Sequence, residues 1–329
     1  MEQYPDLEDT QKEQPTRPMF IPAPGPPKRA RRAGWLTVAG YVGPLAVGLI
    51  GLTCAVVLMG WLVLRPRMSG VIPQPRPTAT STLLPRLMVT TLPTPTQFTV
   101  DEGWTRLAPG VERRNLLVPI PELGAEAPVR LVRLDPSQVS LRVHYTPGVW
   151  LYMHEWQTRM DALVIVNGGF YNSDGSPDGL LISNGVSYGK SYVGRGGMFG
   201  VTDGQPWLRA LALVSYSSGE PVDQAVQGWP VLVYPGGSPA NIEDDGNRTR
   251  RTAIGIDAGG KVVLVVVDGP MFTLAELADW LASSDLGLVS AFNLDGGSST
   301  GLVVDAGDEY TVVESLGPLP AVIAAYPTD

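Results

Sequence analysis

Cysteine is nearly absent from this sequence. The single Cys54 lies in an apolar run, so the rest of the chain can form no internal disulfide and no cysteine-based zinc site. Histidine is almost as scarce. His144 and His154 fall in an expected strand and an expected helix, and neither belongs to a metal-spaced pair, so both read as structural. The acidic run Glu243–Asn247 is too short for an EF-hand loop and reads as a solvated turn. No metal ligands are assigned from the sequence. A G-x-S-x-G elbow, the signature of a serine hydrolase, does not occur, and no Walker-type G-K-[ST] accompanies the glycine-rich stretch near the C-terminus. A basic stripe is also missing from most of the chain. Residues 101–329 hold 14 basic and 27 acidic side chains, which argues against nucleic-acid binding there.

The first hundred residues reverse that charge balance, with 10 basic and 5 acidic side chains. Met1 to Pro27 is polar and proline-rich, with too little apolar content to build a core. Lys28 to Arg32 reads KRARR, and Gly34 to Leu64 then runs without a charge. About 20 apolar residues span a bilayer, and Trp35 and Trp61 sit near the ends of the run, where indoles favour the interface. The basic flank on the N-terminal side places that end in the cytoplasm and the rest of the protein beyond the membrane. Residues 68–98 are rich in Pro and Thr and read as a semi-extended stalk. The expected organisation is a disordered cytoplasmic tail (1–33), a single transmembrane helix (34–64), a Pro/Thr-rich linker (65–100) and a folded extracytoplasmic domain (101–329).

Within that domain, apolar patterning predicts strands at Val129–Leu134, Val139–Tyr145, Ala162–Val166, Arg251–Asp257, Lys261–Gly269 and Leu288–Leu294. Asn184–Gly185 and Asp203–Gly204 mark hairpins. Helical spacing appears over Trp150–Met160 and over Leu274–Ser283. The second of these has Thr273 and Glu276 as a capping box, with Leu274, Leu277, Ala278 and Leu281 on one face. Strand, helix and strand in succession predict a crossover between parallel strands. The expected fold is therefore α/β (mixed α+β), a mixed sheet with helices. The segments WQTRMDALVIVNGG and WLASSDLGLVSAFNLDGG also echo each other, each ending in a strand that closes on Gly-Gly.

The stretch AFNLDGGSSTGLVV carries the clearest chemical signal. Asp295 closes a buried strand and opens at once into Gly296, Gly297, Ser298 and Ser299. Asp268–Gly269 and Asn167–Gly168 close apolar strands in the same way, and ligands tend to bind beyond such strand ends. Exposed N–H groups in a glycine loop, with serine hydroxyls beside them, suit a phosphate or several sugar hydroxyls. Arg251, preceded by Arg248 and Arg250, forms a local positive cluster in an acidic domain, and Arg195 in GRGGMFG is a second candidate.

Taken in order, VNGGFYNSDGSPDGLLISNG, AVQGWPVLV, RTAIGIDAGGKVVLVVVDG, TLAELADWL and AFNLDGGSS resemble the phosphodiester glycosidase family over about residues 125–325. The resemblance implies a mixed α/β domain without a nucleotide cofactor that cleaves the bond between an anomeric carbon and a phosphodiester oxygen. Its motifs fall on Asn167, Gly168, Gln227, Arg251, Thr252, Asp268, Asn293, Asp295, Gly296 and Gly297, and Ser298 follows them as a further binding candidate. The family commonly carries three glycines before the serine; this loop has two. On this reading Asp295 acts at the anomeric carbon as nucleophile or base and Asp268 supports it, or the two exchange roles, and Arg251 with the loop amides stabilises the phosphate. A sugar-phosphodiester or glycan is the expected substrate, and the membrane is reached through residues 34–64. The alternatives are a non-catalytic module that binds envelope glycans and a structural ectodomain.

Overall fold

The computed structural model describes residues 101–328. The expected tail, membrane span (34–64) and linker lie outside them. Among the described residues no helix is long and apolar enough to cross a membrane.

In chain order the strands are β1 (Thr105–Ala108), β2 (Val111–Ile120), β3 (Ala125–Leu134), β4 (Val139–Tyr145), β5 (Val164–Asn167), β6 (Leu181–Ser183), β7 (Val186–Tyr188), β8 (Gly197–Thr202) and β9 (Gln205–Ala210). They continue as β10 (Gln224–Gly228), β11 (Val231–Tyr234), β12 (Ser238–Pro239), β13 (Thr249–Asp257), β14 (Val262–Phe272), β15 (Leu288–Asn293), β16 (Leu302–Ala306), β17 (Glu309–Val313) and β18 (Ala321–Pro327). Two α-helices, α1 (Met153–Arg159) and α2 (Leu274–Ser283), complete the described elements, with short 3-10 turns at Pro121–Leu123 and Gly297–Ser299.

This corrects the α/β expectation: the domain is mostly β, built from three sheets. Their orders are β1-β2-β3-β14-β13-β15-β11-β12, β7-β6-β10-β8-β9 and β17-β16-β5-β18-β4. The strand pairings are antiparallel rather than mixed. The physical reason lies in how the apolar strands are covered. An α/β fold screens its central strands with helices on both faces. Here β14 reads VVLVVV because its even-numbered residues enter a core where the three sheets meet, while its odd-numbered residues meet α2. One sheet face is thus screened by other sheets, and a second layer of helices is not needed.

The predicted crossover is also rearranged. β14 and β15 run parallel, as expected, but β13 lies between them and pairs antiparallel with both. Other local signals hold. Asn184 and Gly185 (φ 50° and 76°) make the β6–β7 turn, and Asp203 and Gly204 (φ 50° and 74°) make the β8–β9 turn. At α2, Thr273 Oγ1 accepts from Glu276 N at 3.2 Å and Glu276 returns a carboxylate to Thr273 N at 3.0 Å, closing the capping box. Leu277, Ala278 and Leu281 are buried beneath it.

A pair of glycines sets how closely two sheets approach. Gly197 of β8 and Gly228 of β10 are cross-strand neighbours. A Cβ on Gly197 would come within 2.4 Å of the Phe292 ring, and one on Gly228 within 2.2 Å of Asn293 O and 2.9 Å of the same ring. The absence of side chains seats Phe292 of β15 directly on the second sheet, which brings the C-terminal ends of β10 and β15 together.

Candidate active site

Asn167 ends β5 at the point where the sheets converge, and it is fully buried. Its Nδ2 donates to the carbonyl of Asp295 at 2.8 Å and to that of Gly168 at 3.2 Å. Its Oδ1 accepts from Thr252 Oγ1 at 2.8 Å and from Gly301 N at 3.1 Å. Every valence of the amide is spent on protein groups. Thr252, on β13, is equally buried and stands 3.3 Å from Thr300 Oγ1. Gly168 accepts a further bond from Asp295 N at 3.3 Å. Asn167, Gly168 and Thr252 are therefore positioning groups that tie two sheets together beneath Asp295.

Asp295 is half-buried just past β15. Burial pushes its carboxyl above the ordinary aspartate value, opposed by hydrogen bonds from the Ser299 hydroxyl and from Gly296 N, the latter at 2.8 Å. Tyr171 OH lies 3.1 Å from Ser299 Oγ. Either hydroxyl can donate to the other. Gly296 is extended and presses on β13, where a Cβ would meet Arg250 O at 2.9 Å, and Gly297 takes φ 59°. Ser298 is exposed at the loop tip, and its carbonyl accepts from Leu316 N at 2.8 Å.

Near Asp295, whose charge acts on the Tyr192 phenol, is a cavity lined by Phe170, Asp178, Tyr192, Arg195 and Trp229. Backbone bonds fix its place: Gly168, two residues before Phe170, accepts from Asp295 N, and Asn293 Nδ2 donates to Trp229 O at 3.0 Å. Tyr192 OH donates to Asp178 Oδ2 at 2.9 Å. Burial, that hydrogen bond and the nearby charges of Asp178 and Asp295 hold the phenol proton well above its usual range, with Arg195 pulling the other way. Gln227 acts from below. Its Oε1 accepts from Tyr192 N at 2.9 Å and Leu180 N at 3.1 Å, and its Nε2 donates to Ser191 Oγ at 2.8 Å. It positions the wall and, at 1% exposure, does not reach the cavity.

Three expected site residues are held by other contacts. Arg251 points to the helix-bearing face of β13, where its guanidinium donates to the carbonyls of Phe272 and Asn247. Desolvation holds its pKa below the ordinary arginine value. Asn293 faces the same way as its neighbour Ala291; its Oδ1 is buried without a hydrogen-bond partner among the described residues. Asp268 stands in an ionic cluster, 2.7 Å from Arg250 Nη2 and 3.7 Å from Arg130 Nη1. Because β13 separates β14 from β15, the backbones bearing the two acids are about 9–10 Å apart. Arg250, which shares its face of β13 with Thr252, also donates to Glu314 O at 3.0 Å. Strand alternation carries the signal that separates them: Arg251 and Thr252 are consecutive and cannot face one pocket.

The histidines lie apart. His144 Nε2 meets Tyr326 OH at 2.8 Å, and burial with the Arg142 charge lowers its pKa; His154 pairs with Glu314 at 2.7 Å. Among the described residues no cluster of three or more metal-ligating side chains occurs.

Residues 160–321 match the phosphodiester glycosidase family model. No curated protein sequence matches the chain. In fold, the chain is similar to the catalytic domain of zebrafish N-acetylglucosamine-1-phosphodiester alpha-N-acetylglucosaminidase, auto-inhibited by pro-peptide. The TM-score is 0.53 at 19% identity, covering 69% of this chain and 88% of that one. A hypothetical protein from Synechocystis gives a TM-score of 0.48 at 17% identity, covering 67% of this chain and 62% of its own.

Proposed function

With residues 160–321 carrying a phosphodiester glycosidase domain, we propose that this protein hydrolyses the anomeric C–O bond of a sugar-1-phosphodiester, with Asp295 as the group that acts at the anomeric carbon. One observation carries the reading: a half-buried carboxyl, raised by burial and held by Gly296 N–H, acts by its charge on Tyr192, a wall of a cavity with aromatic faces and a guanidinium. Aromatic faces beside a carboxylate suit a sugar ring, and the cation suits its phosphate.

The reaction needs one acidic group rather than the usual two. Water adds its oxygen to the anomeric carbon and the bond to the phosphodiester oxygen breaks, its electron pair leaving with the phosphate. Free sugar and a phosphomonoester result. The water proton passes to Asp295 if the carboxylate serves as base, or is lost in a second step if the carboxylate first forms a glycosyl ester. The leaving phosphate departs as an anion and needs no proton donor, which suits a site where Asp268 is tied up with Arg250 and Arg130.

The uncharged run at 34–64 would anchor the domain to the membrane and residues 65–100 would hold it on the extracytoplasmic side. Its substrates would then be envelope or exported glycans. The basic flank at Lys28–Arg32 supports this orientation.

The test uses the full chain and the methyl phosphodiester of N-acetylglucosamine-1-phosphate, the bond class in the zebrafish protein's name. Wild type is expected to release free sugar and methyl phosphate, and Asp295→Asn to lose at least about a thousandfold in kcat while keeping its fold. Turnover in that variant within tenfold of wild type would remove Asp295 from the chemistry.

A further inference from the structure

The arginines around the site differ in what already holds them. Arg248 is engaged by both oxygens of Glu276. Arg250 is bound to Asp268 and the Glu314 carbonyl, and Arg251 to two backbone carbonyls. Arg195 is different. It is exposed on the loop leading into β8, makes no ion pair with the described residues, and lies 5.3 Å from the centroid of the Tyr192 ring. That ring is fixed at both ends, its hydroxyl by Asp178 and its backbone N–H by Gln227. A guanidinium resting on a rigid aromatic face keeps its N–H edge available, and that edge matches two oxygens of a phosphate.

The cavity is also divided by charge. Asp178, bound to the Tyr192 hydroxyl and not to Arg195, is a carboxylate that accepts from hydroxyls and repels an anion. Trp229, 46% exposed, and Phe170 supply apolar faces. A sugar therefore fits toward Asp178 and Trp229, and an anion toward Arg195.

We propose that Arg195 seats the phosphate of the substrate and so sets the requirement for a charged leaving group. This rests on the phosphodiester glycosidase reading above. A phosphodiester brings one negative charge and gains a second as the C–O bond breaks, so the cation holds the departing group more tightly than the bound substrate and lowers the barrier. The expectation from sequence gave this role to Arg251, whose guanidinium is turned to the opposite face.

The experiment compares full-length wild type with Arg195→Ala, Arg195→Gln and Arg195→Lys. Turnover of the methyl phosphodiester is measured alongside binding of methyl phosphate and of free N-acetylglucosamine by titration calorimetry. Both neutral variants are expected to lose about a hundredfold in kcat/KM and to bind methyl phosphate at least about tenfold more weakly, while binding of the free sugar is unchanged. Arg195→Lys, which keeps the charge but not the fork, falls between. Neutral variants that bind methyl phosphate as wild type does, or a wild type that does not bind it, overturn the seat. Equal loss of sugar and phosphate binding also overturns it, since that is the mark of a collapsed wall. A wild type that binds methyl phosphate yet releases no sugar overturns the catalytic reading instead.

Discussion

The side-chain amide of Asn167 donates to the backbone carbonyl of Asp295 at 2.8 Å, so a residue ending a strand of one sheet sets the height of a carboxylate borne by another. Asn167→Ala would strand two buried groups, the Asp295 carbonyl and the Gly301 N–H, and take one of two partners from the Gly168 carbonyl and the Thr252 hydroxyl. Each unsatisfied buried polar group costs about 1–3 kcal/mol, so a loss of about 3 kcal/mol is expected in urea unfolding. In the residual folded protein kcat should fall more than KM rises, because the defect displaces Asp295 and not the cavity wall. A change confined to KM would place Asn167 in substrate binding.

Replacing Asp295 itself should stabilise the fold, with a definite pH dependence. Its carboxyl titrates higher in the folded protein than in the unfolded chain. Below the unfolded value, about 3.9, both states are protonated and burial of charge costs nothing. The cost grows as pH rises toward the folded value and is complete above it. Asp295→Asn is therefore expected to melt on the order of 2 °C above wild type at pH 7, with the gap closing at pH 3. Calorimetry at the two pH values decides; a variant less stable at pH 7 would mean that the hydrogen bonds from Ser299 and Gly296 outweigh desolvation.

The same shift fixes one limb of the pH–rate profile. Whether nucleophile or base, Asp295 works ionised, so kcat/KM should fall on the acid side with a midpoint above about 4, the usual carboxylate range. Ser299→Ala removes the hydroxyl that favours the ionised form, and should move that limb further up. A limb that stays in place in Ser299→Ala would show that another group controls it.

Arg251→Ala separates two views of the basic cluster. In the fold its guanidinium satisfies the Phe272 and Asn247 carbonyls. Its loss is expected to cost about 2 kcal/mol of stability and to leave kcat/KM, per folded molecule, within about threefold. A hundredfold loss of activity without loss of stability would return Arg251 to the site.

That residue also shows what could be read in the chain and what could not. Asn167, Thr252 and Asp295 were visible as strand ends and motif positions, and the two segments that echo each other do meet: Asn167 and Gly168 from one bond to Asp295 from the other. The capping box of α2 and both hairpin turns were equally plain, because each is decided within a few residues. The fold class was not. The run VVLVVV at Val262–Val267 is buried on both faces whether helices or other sheets do the covering, and periodicity alone cannot tell which. Asp268 was expected to partner Asp295 because each closes an apolar run; β14 in fact continues past Asp268 to Phe272, and inserting β13 between β14 and β15 is a tertiary choice with no local signal. Phe170, Asp178, Tyr192 and Trp229 converge from separate loops, which no spacing rule records.

Gly228 gives the last prediction, because its effect should reach from packing to the site. It pairs with Gly197 across β8 and β10, and together they seat the Phe292 ring. A methyl on Gly228 would stand 2.2 Å from the carbonyl of Asn293 and 2.9 Å from the ring, where neither a backbone oxygen nor a fully buried phenylalanine can yield cheaply. Gly228→Ala must therefore push the end of β10 away from β15, at a cost of about 1–3 kcal/mol for overpacking. The same displacement pulls Trp229, the next residue, off the Asn293 amide that holds its carbonyl at 3.0 Å. Sugar affinity should fall with stability. Gly185→Ala is the control: the β6–β7 turn leaves open space around it, and only its φ of 76° resists a side chain. That variant should lose about 1–2 kcal/mol with KM unchanged. Paired losses of stability and sugar affinity at Gly228, against stability alone at Gly185, are expected from unfolding curves and KM measured side by side; equal KM in the two variants would detach the glycine seat from the cavity.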